Sequence, residues 1–343
     1  AGIFREYSLN HPVEVLVRGL VVLFPEPLNQ KAEAVMISNG INLEGFMSSQ
    51  ITAGDFGEDT LVLTMEAQQR QKLLEMFPEA KEENVQVLTE LVGDELEILD
   101  PYGGTLQSYG LCFETMNKSI KKLVIGSFIQ KACGVTRNSL DSVCISAFVG
   151  LSITGIYNNY FTIFNGVTVI LAIFITSLTG GIGNHVALKS KAENYEELKK
   201  IDFLYLQISG WCTCCLLCLS QPFMKLWMGT DMLLSPLSVL FMCIYFYMLK
   251  VGDVRSIYYS TTGMWWEMRY RSIVETVANL ILNIVLGYLF GINGIILATV
   301  ISLFLFNFLW GASIVFKNYF GLEKVKSYFL YHLKYLVITI VIC

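Results

Sequence analysis

Glu275, Asn279 and Asn283 recur at intervals of four, and they border or lie within a run of 41 uncharged residues, 276–316. Side chains four apart drift only slowly around a helix face. A carboxylate and two carboxamides in line on an apolar helix can bind or pass polar groups, and in a bilayer they face protein or water rather than lipid. Two more clusters carry charge inside apolar surroundings. Arg137 and Asp141 stand one helical turn apart on a face shared with Gln130 and Gly134, and Asp253 and Arg255 follow Lys250 in an aromatic-rich run. An ionisable pair inside an apolar helix serves a transport path, or it serves as glue between helices at a cytoplasmic edge; the residues leave both readings open.

Two other patterns carry no chemistry. Cys212-Thr-Cys-Cys-Leu-Leu-Cys218 has no His or carboxylate beside it. One helix cannot wrap four ligands around a tetrahedral ion, so these cysteines read as small packing residues and no metal is expected. Gly180-Gly-Ile-Gly183 follows no strand and precedes no Gly-Lys-Ser/Thr, so it is not a phosphate loop. No cofactor is expected either.

The elements that must hold these residues divide the chain. Residues 1–122 contain 9 Lys/Arg against 19 Asp/Glu, and residues 123–343 contain 15 against 10. The first part reads as a soluble, acidic α/β domain and the second as an all-α transmembrane bundle, with the boundary at 122/123. In the first part, short β-branched runs at 13–17, 60–65 and 85–88 alternate with helical patterns at 29–39, 66–77 and 105–123. That rhythm predicts a parallel sheet. Asp100-Pro101-Tyr102-Gly103-Gly104 reads as a turn, with Thr105 as the N-cap of the helix after it.

In the second part the uncharged runs predict seven helices, at 123–149, 153–184, 199–228, 233–262, 268–290, 292–318 and 324–343, and the fifth and sixth form a hairpin about Gly291-Ile292-Asn293-Gly294. If the first of these starts in the cytoplasm, the cytoplasmic segments hold twelve Lys/Arg and the opposite side holds Lys225 alone. The expected location is therefore a multi-pass position in a membrane with residues 1–122 in the cytoplasm.

The segments LVRGLVVLFPEPLNQKAEAVMISNGINLEG, TLVLTMEAQQRQKLLEMFPEA and DPYGGTLQSYGLCFETMNKSIKKL resemble, in order, the low-molecular-weight protein-tyrosine-phosphatases across nearly all of residues 1–122. The resemblance implies that Asp100 matches the family's general acid. It also implies a nucleophilic Cys in a Cys-x5-Arg loop after the first strand, and this sequence contains no such loop. The only Cys before residue 123 is Cys112. Asp100 is therefore expected to be a vestigial acid in a truncated domain, and the enzyme assignment leans to no.

Arg137-Asn-Ser-Leu-Asp-Ser-Val-Cys-Ile-Ser146, Gly155-Ile-Tyr-Asn-Asn-Tyr160, Pro222-Phe-Met-Lys-Leu-Trp227, Gly263-Met-Trp-Trp-Glu-Met-Arg-Tyr-Arg271 and Phe290-Gly-Ile-Asn-Gly294 resemble, in order, the polysaccharide flippases of the MATE-like multidrug/oligosaccharidyl-lipid/polysaccharide exporter superfamily. The resemblance covers the C-terminal lobe of such proteins. It implies flipping of undecaprenyl-pyrophosphate-linked oligosaccharide for polysaccharide biosynthesis, with Arg137 and Arg255 facing an anionic central cavity. The expected transport path is Arg137, Asp141, Asp253, Arg255, Glu275, Asn279 and Asn283. The expected partners are membrane lipids, that lipid-linked oligosaccharide and a missing N-terminal lobe, with no nucleic acid. One lobe alone is expected to be inactive. The alternatives are a phosphatase-like enzyme tethered to the membrane and a multidrug exporter of the same superfamily. Because the two resemblances meet near Lys122 without a Gly-, Pro- or Ser-rich linker, the chain reads as a fusion of two cut pieces. Residues 60–65 and 85–88 are expected to pair beside a gap in the sheet.

Overall fold

The computed structural model describes residues 2–5, 14–57, 60–81, 84–92 and 97–342. The chain packs as two compact units, Ala1–Gly126 and Ser127–Cys343.

The first unit contains α1 (Gly2–Arg5), α2 (Gln30–Ser38), β1 (Val62–Thr64), α3 (Ala67–Met76), β2 (Val85–Val87) and the start of α4 (Leu106–Phe148). Helix α2 begins where Asn29 Oδ1 accepts a hydrogen bond from the Lys31 N–H at 2.9 Å. Helix α3 returns the chain to the end of the sheet from which it left, so β1 and β2 pair in parallel, with Val62 opposite Val85 and Thr64 opposite Val87. Successive strand residues point to opposite faces. Val62 and Val85 join Ile51, Phe56, Leu73 and Ala80 on one side. Leu63 and Leu88 join Val35, Ile98, Tyr109, Phe113 and Ile120 on the other. On α4, Tyr109, Phe113 and Ile120 recur at helical spacing, which explains why its first turns dock on the sheet.

The pairing expected between residues 60–65 and 85–88 is present. The strand expected at 13–17 is not formed over its described part, 14–17, and Val13 lies outside the described residues. Leu16 and Val17 are 54% and 42% exposed, so neither face of that run finds a core to hold it in a ladder. One parallel bridge between Gly19 and Gln50 is what this edge retains.

The second unit takes the rest of α4, then α5 (Leu151–Leu188), α6 (Lys191–Met228), α7 (Pro236–Lys250), α8 (Asp253–Thr261), α9 (Trp265–Ser302), a π-helical stretch Leu303–Trp310, α10 (Gly311–Val315), a second π-helical stretch Phe316–Phe320 and α11 (Val325–Ile342). Helix α6 starts with a capping box: the Glu193 N–H reaches Ser190 Oγ at 3.3 Å, and the Ser190 N–H reaches Glu193 Oε2 at 2.9 Å.

Among the described residues, four helical segments, Leu151–Gly183, Lys191–Met228, Pro236–Thr261 and Trp265–Phe320, are long and apolar enough to cross a membrane. That corrects the expectation of seven spans. The run 123–149 carries Lys131, Arg137 and Asp141 among its apolar residues, and the run 324–343 ends at Cys343, which lies outside the described residues. The runs 268–290 and 292–318 belong to one segment that folds back at Gly291. There φ is 59° and ψ is −138°, a conformation open to glycine. A Cβ on Gly294 would collide with the Leu286 carbonyl oxygen, so the turn closes on two glycines. The tally of twelve cytoplasmic cations depends on seven crossings and loses its basis with them.

Candidate functional site

The stripe Glu275, Asn279, Asn283 lies on α9 and is buried, at 3%, 0% and 0% exposure. It meets the Gln130, Arg137, Asp141 face of α4, so the two polar stripes seen in the sequence form one seam. Arg137 Nη1 donates to Glu275 Oε1 at 2.9 Å. Arg271, one turn before Glu275, donates through Nη1 to Oε2 at 2.6 Å. One carboxylate therefore serves two guanidinium groups. Arg271 Nη2 also donates to Ser272 Oγ at 2.9 Å, and Ser272 Oγ donates to Gln130 Oε1 at 2.6 Å.

Two turns further along, Asp141 Oδ1 accepts from Asn283 Nδ2 at 3.1 Å and from Thr299 Oγ1 at 2.8 Å. Asn279 Nδ2 donates to Thr299 Oγ1 at 3.0 Å, which ties the two arms of the hairpin together. Ser302 Oγ donates to the Glu275 carbonyl at 3.4 Å. Each carboxylate thus reaches buried donors, as a charge in an apolar bundle requires.

Asp253 and Arg255 bond to other partners, although Arg255 and Arg271 both lie beside Gly311. Asp253 Oδ2 accepts from Lys250 Nζ at 2.8 Å and from Tyr205 Oη at 2.6 Å. Arg255 is 3% exposed and turns toward the π-helical stretch after α9. Its Nη2 donates to the Asn307 carbonyl at 2.8 Å and to Asn307 Oδ1 at 3.0 Å, and its Nη1 donates to Tyr328 Oη at 3.1 Å. A π-helical turn widens the backbone ladder, and such turns often carry functional residues. The seven expected path residues therefore fall into two hydrogen-bonded groups, the α4–α9 seam and the α8 pair Asp253 and Arg255, which come near each other where Arg255 and Arg271 flank Gly311.

Asp100 sits exposed at the turn before α4. Its Oδ1 accepts from the Tyr102 N–H at 3.0 Å, and the Gly104 N–H closes the turn on the Pro101 carbonyl at 2.9 Å. Thr105 Oγ1 accepts from the Ser108 N–H at 3.2 Å, as its N-cap role requires. Burial pushes the Cys112 thiol up, and the Asp100 charge pushes it the same way. A nucleophilic cysteine needs the opposite environment.

Sequence reading misses Arg271 and Thr299 as members of the seam, and it misses Asp202 and His332. The cation tally places Arg271 among the cytoplasmic charges. Its place four residues before Glu275, on the same face, is the signal available. Asp202 and His332 lie 130 residues apart, and no spacing rule joins them.

Residues 2–133 match the family model described as low molecular weight phosphotyrosine protein phosphatase, so a domain of that kind occupies this part of the chain. The match reaches past residue 122, further along α4. No curated protein and no solved structure matches the chain, and no flippase family is identified.

Proposed function

We propose that this chain is a membrane transport component. In this reading residues 123–343 bind an anionic lipid-linked oligosaccharide and move it together with a second lobe, and residues 1–122 form a phosphatase-like unit without turnover. The observation that carries the transport reading is the sharing of Glu275 between Arg137 and Arg271. Two cations on one carboxylate leave a surplus positive charge on a buried helix face. An arriving pyrophosphate can take over one guanidinium without leaving Glu275 unpaired, because guanidinium groups grip phosphate bidentately. The Arg137 side chain keeps 21% of its surface open, so it is the one placed to receive the ligand. The choice of a pyrophosphate-linked sugar over another anion rests on the resemblance to polysaccharide flippases.

The tethered phosphatase remains the second reading, favoured by the family match over residues 2–133. Against it stands the protonated state favoured at Cys112, the one Cys in residues 1–122.

The test measures binding, since a single lobe is not expected to transport. The chain in lipid nanodiscs should bind undecaprenyl pyrophosphate, and Arg137→Gln should weaken binding on the order of tenfold, equivalent to about 1.4 kcal/mol. Arg271 still holds Glu275 in that variant. Equal affinity of wild type and Arg137→Gln would sink the transport reading. Hydrolysis of a phosphate ester by the same preparation, abolished by Asp100→Asn, would sink the claim of no turnover.

A further inference from the structure

A buried carboxylate and a buried imidazole meet away from the α4–α9 seam. Asp202 on α6 has 0% exposure, and His332 on α11 has 5%. Asp202 Oδ2 accepts a hydrogen bond from Tyr331 Oη at 3.1 Å, and His332 Nε2 lies 3.1 Å from the same oxygen. On the other side of the ring, His332 Nδ1 is 2.9 Å from the Tyr328 carbonyl oxygen. A carbonyl only accepts, so that contact places the ring proton on Nδ1.

The consequence falls on Nε2. A neutral imidazole protonated at Nδ1 presents a lone pair at Nε2, and here it meets a carboxylate oxygen. Two buried acceptors this close repel, and no water-like dielectric softens the repulsion. One added proton removes the conflict, either as imidazolium or as carboxylic acid. Yet the pair is not locked as an ion pair. Asp202 Oδ1 is buried without a hydrogen-bond partner, and Nε2 is near Oδ2 but not aligned on it. Native interiors rarely leave such atoms unmatched without a functional reason.

We propose that Asp202 and His332 form a binding site for one proton at the contact of α6 with α11. Uptake converts a carboxylate, a neutral imidazole and a hydronium ion into the singly protonated pair and water; release reverses it. The charge of a buried helix contact then changes by one, which biases how tightly α11 holds to α6. The inference concerns a different pair of helices from the proposed anion seam and holds whatever that seam binds.

The surroundings leave the titration to this pair. The groups that face Asp202 are phenols: Tyr205 on α6, Tyr247 on α7, Tyr258 on α8, and Tyr328, Tyr331 and Tyr335 on α11. Free phenols release their proton only near pH ~10. Arg255 on α8, bonded to Tyr328, keeps its charge throughout. Another ion pair, Lys250 with Asp253, is bonded to Tyr205.

The test uses the full chain in lipid nanodiscs with isotope-labelled histidine. The sequence has three histidines, so His11→Gln and His185→Gln isolate the His332 signal. Nitrogen-15 resonance reads the imidazole, and infrared spectroscopy reads a protonated carboxyl band. On going from alkaline to acidic buffer the pair should gain one proton, seen at one of the two groups. In Asp202→Asn the carboxamide donates to Nε2, and both signals should become independent of pH. His332→Gln supplies the converse variant, in which the carboxyl band should no longer change. A wild-type pair that keeps the same spectra across the whole range, charged or neutral, overturns the proposal. So does a titration that persists unchanged in Asp202→Asn.

Discussion

The two units treat polar side chains in opposite ways. Among the described residues, every buried ionisable acid, base or imidazole lies in the helical unit: Asp141, Asp202, Lys250, Arg255, Arg271, Glu275 and His332. The polar side chains that the first unit buries among its described residues are hydroxyl groups, at Thr64, Thr89 and Ser119, and its Asp100 stays at the surface. The contrast follows from how each unit satisfies its backbone. A helix closes its own hydrogen bonds, so its side chains are free to pair across to another helix. The first unit has two three-residue strands and thin apolar clusters on either side. Such a core is too small to offset the desolvation of an ion.

The sharpest way to break this comparison is to neutralise one carboxylate in each unit. Glu275→Gln leaves Arg137 and Arg271 buried without their shared counter-ion, which should cost about 3–5 kcal/mol. Glu33→Gln, on the exposed first turn of α2, should change stability by less than about 0.5 kcal/mol. Denaturant unfolding in detergent, followed separately in each unit by hydrogen exchange, measures both. Equal losses would show that the buried seam is solvated and that the two units do not differ as described.

How much of this arrangement is legible in the sequence depends on whether the signal is local. The helices α2 and α3, the cap at Thr105 and the hairpin at Gly291 follow from short patterns, and each stands within a residue or two of its expected place. The meeting of β1 with β2 is legible because two β-branched runs flank one helix. The meeting of Arg137 with Glu275 is only half legible. Each stripe is visible, but nothing in the sequence says that α4 packs on α9 rather than on another helix. The Asp202 and His332 pair is not legible at all, since each residue stands alone on its helix. The seven spans fail for a different reason. Uncharged length does not weigh the charges at 131, 137 and 141 inside the first expected span. Hydropathy over a whole window is the quantity a bilayer requires.

A cap tests the comparison at intermediate strength, because it probes backbone satisfaction in the first unit. Thr105→Ala removes the oxygen that accepts from the Ser108 N–H. Loss of a Thr cap typically costs about 1 kcal/mol. The loss should appear as faster hydrogen exchange over residues 106–113, where α4 packs on the sheet, and should leave α5–α11 unchanged. Unchanged exchange at 106–113 would mean that Tyr109 and Phe113 anchor the helix without help from its cap.

The smallest effect expected belongs to a surface carboxylate, and it depends on pH. Asp55 closes a one-turn helix at Ala53–Asp55. Its Oδ2 accepts from the Thr52 N–H at 2.9 Å and from Thr52 Oγ1 at 3.0 Å, and its Oδ1 accepts from Arg18 Nε at 3.0 Å. Partial burial works against ionisation, but the Thr52 hydrogen bonds and the Arg18 charge outweigh it and hold the carboxyl below its usual value of 3.8. A lowered folded value means that the unfolded chain binds the proton more tightly. The stability this group contributes is therefore fully present above about pH 4, and it is lost as pH falls through the lower folded value. Carboxyl resonances should show Asp55 titrating below 3.8 in wild type. Arg18→Met with Thr52→Val should return that midpoint to the ordinary aspartate range. Acid should loosen residues 49–57, where Arg18 also donates to Ser49 Oγ at 3.1 Å, as pH falls through the Asp55 midpoint. Exchange at 49–57 that stays level through that midpoint in wild type would show that the Asp55 contacts do not hold this turn.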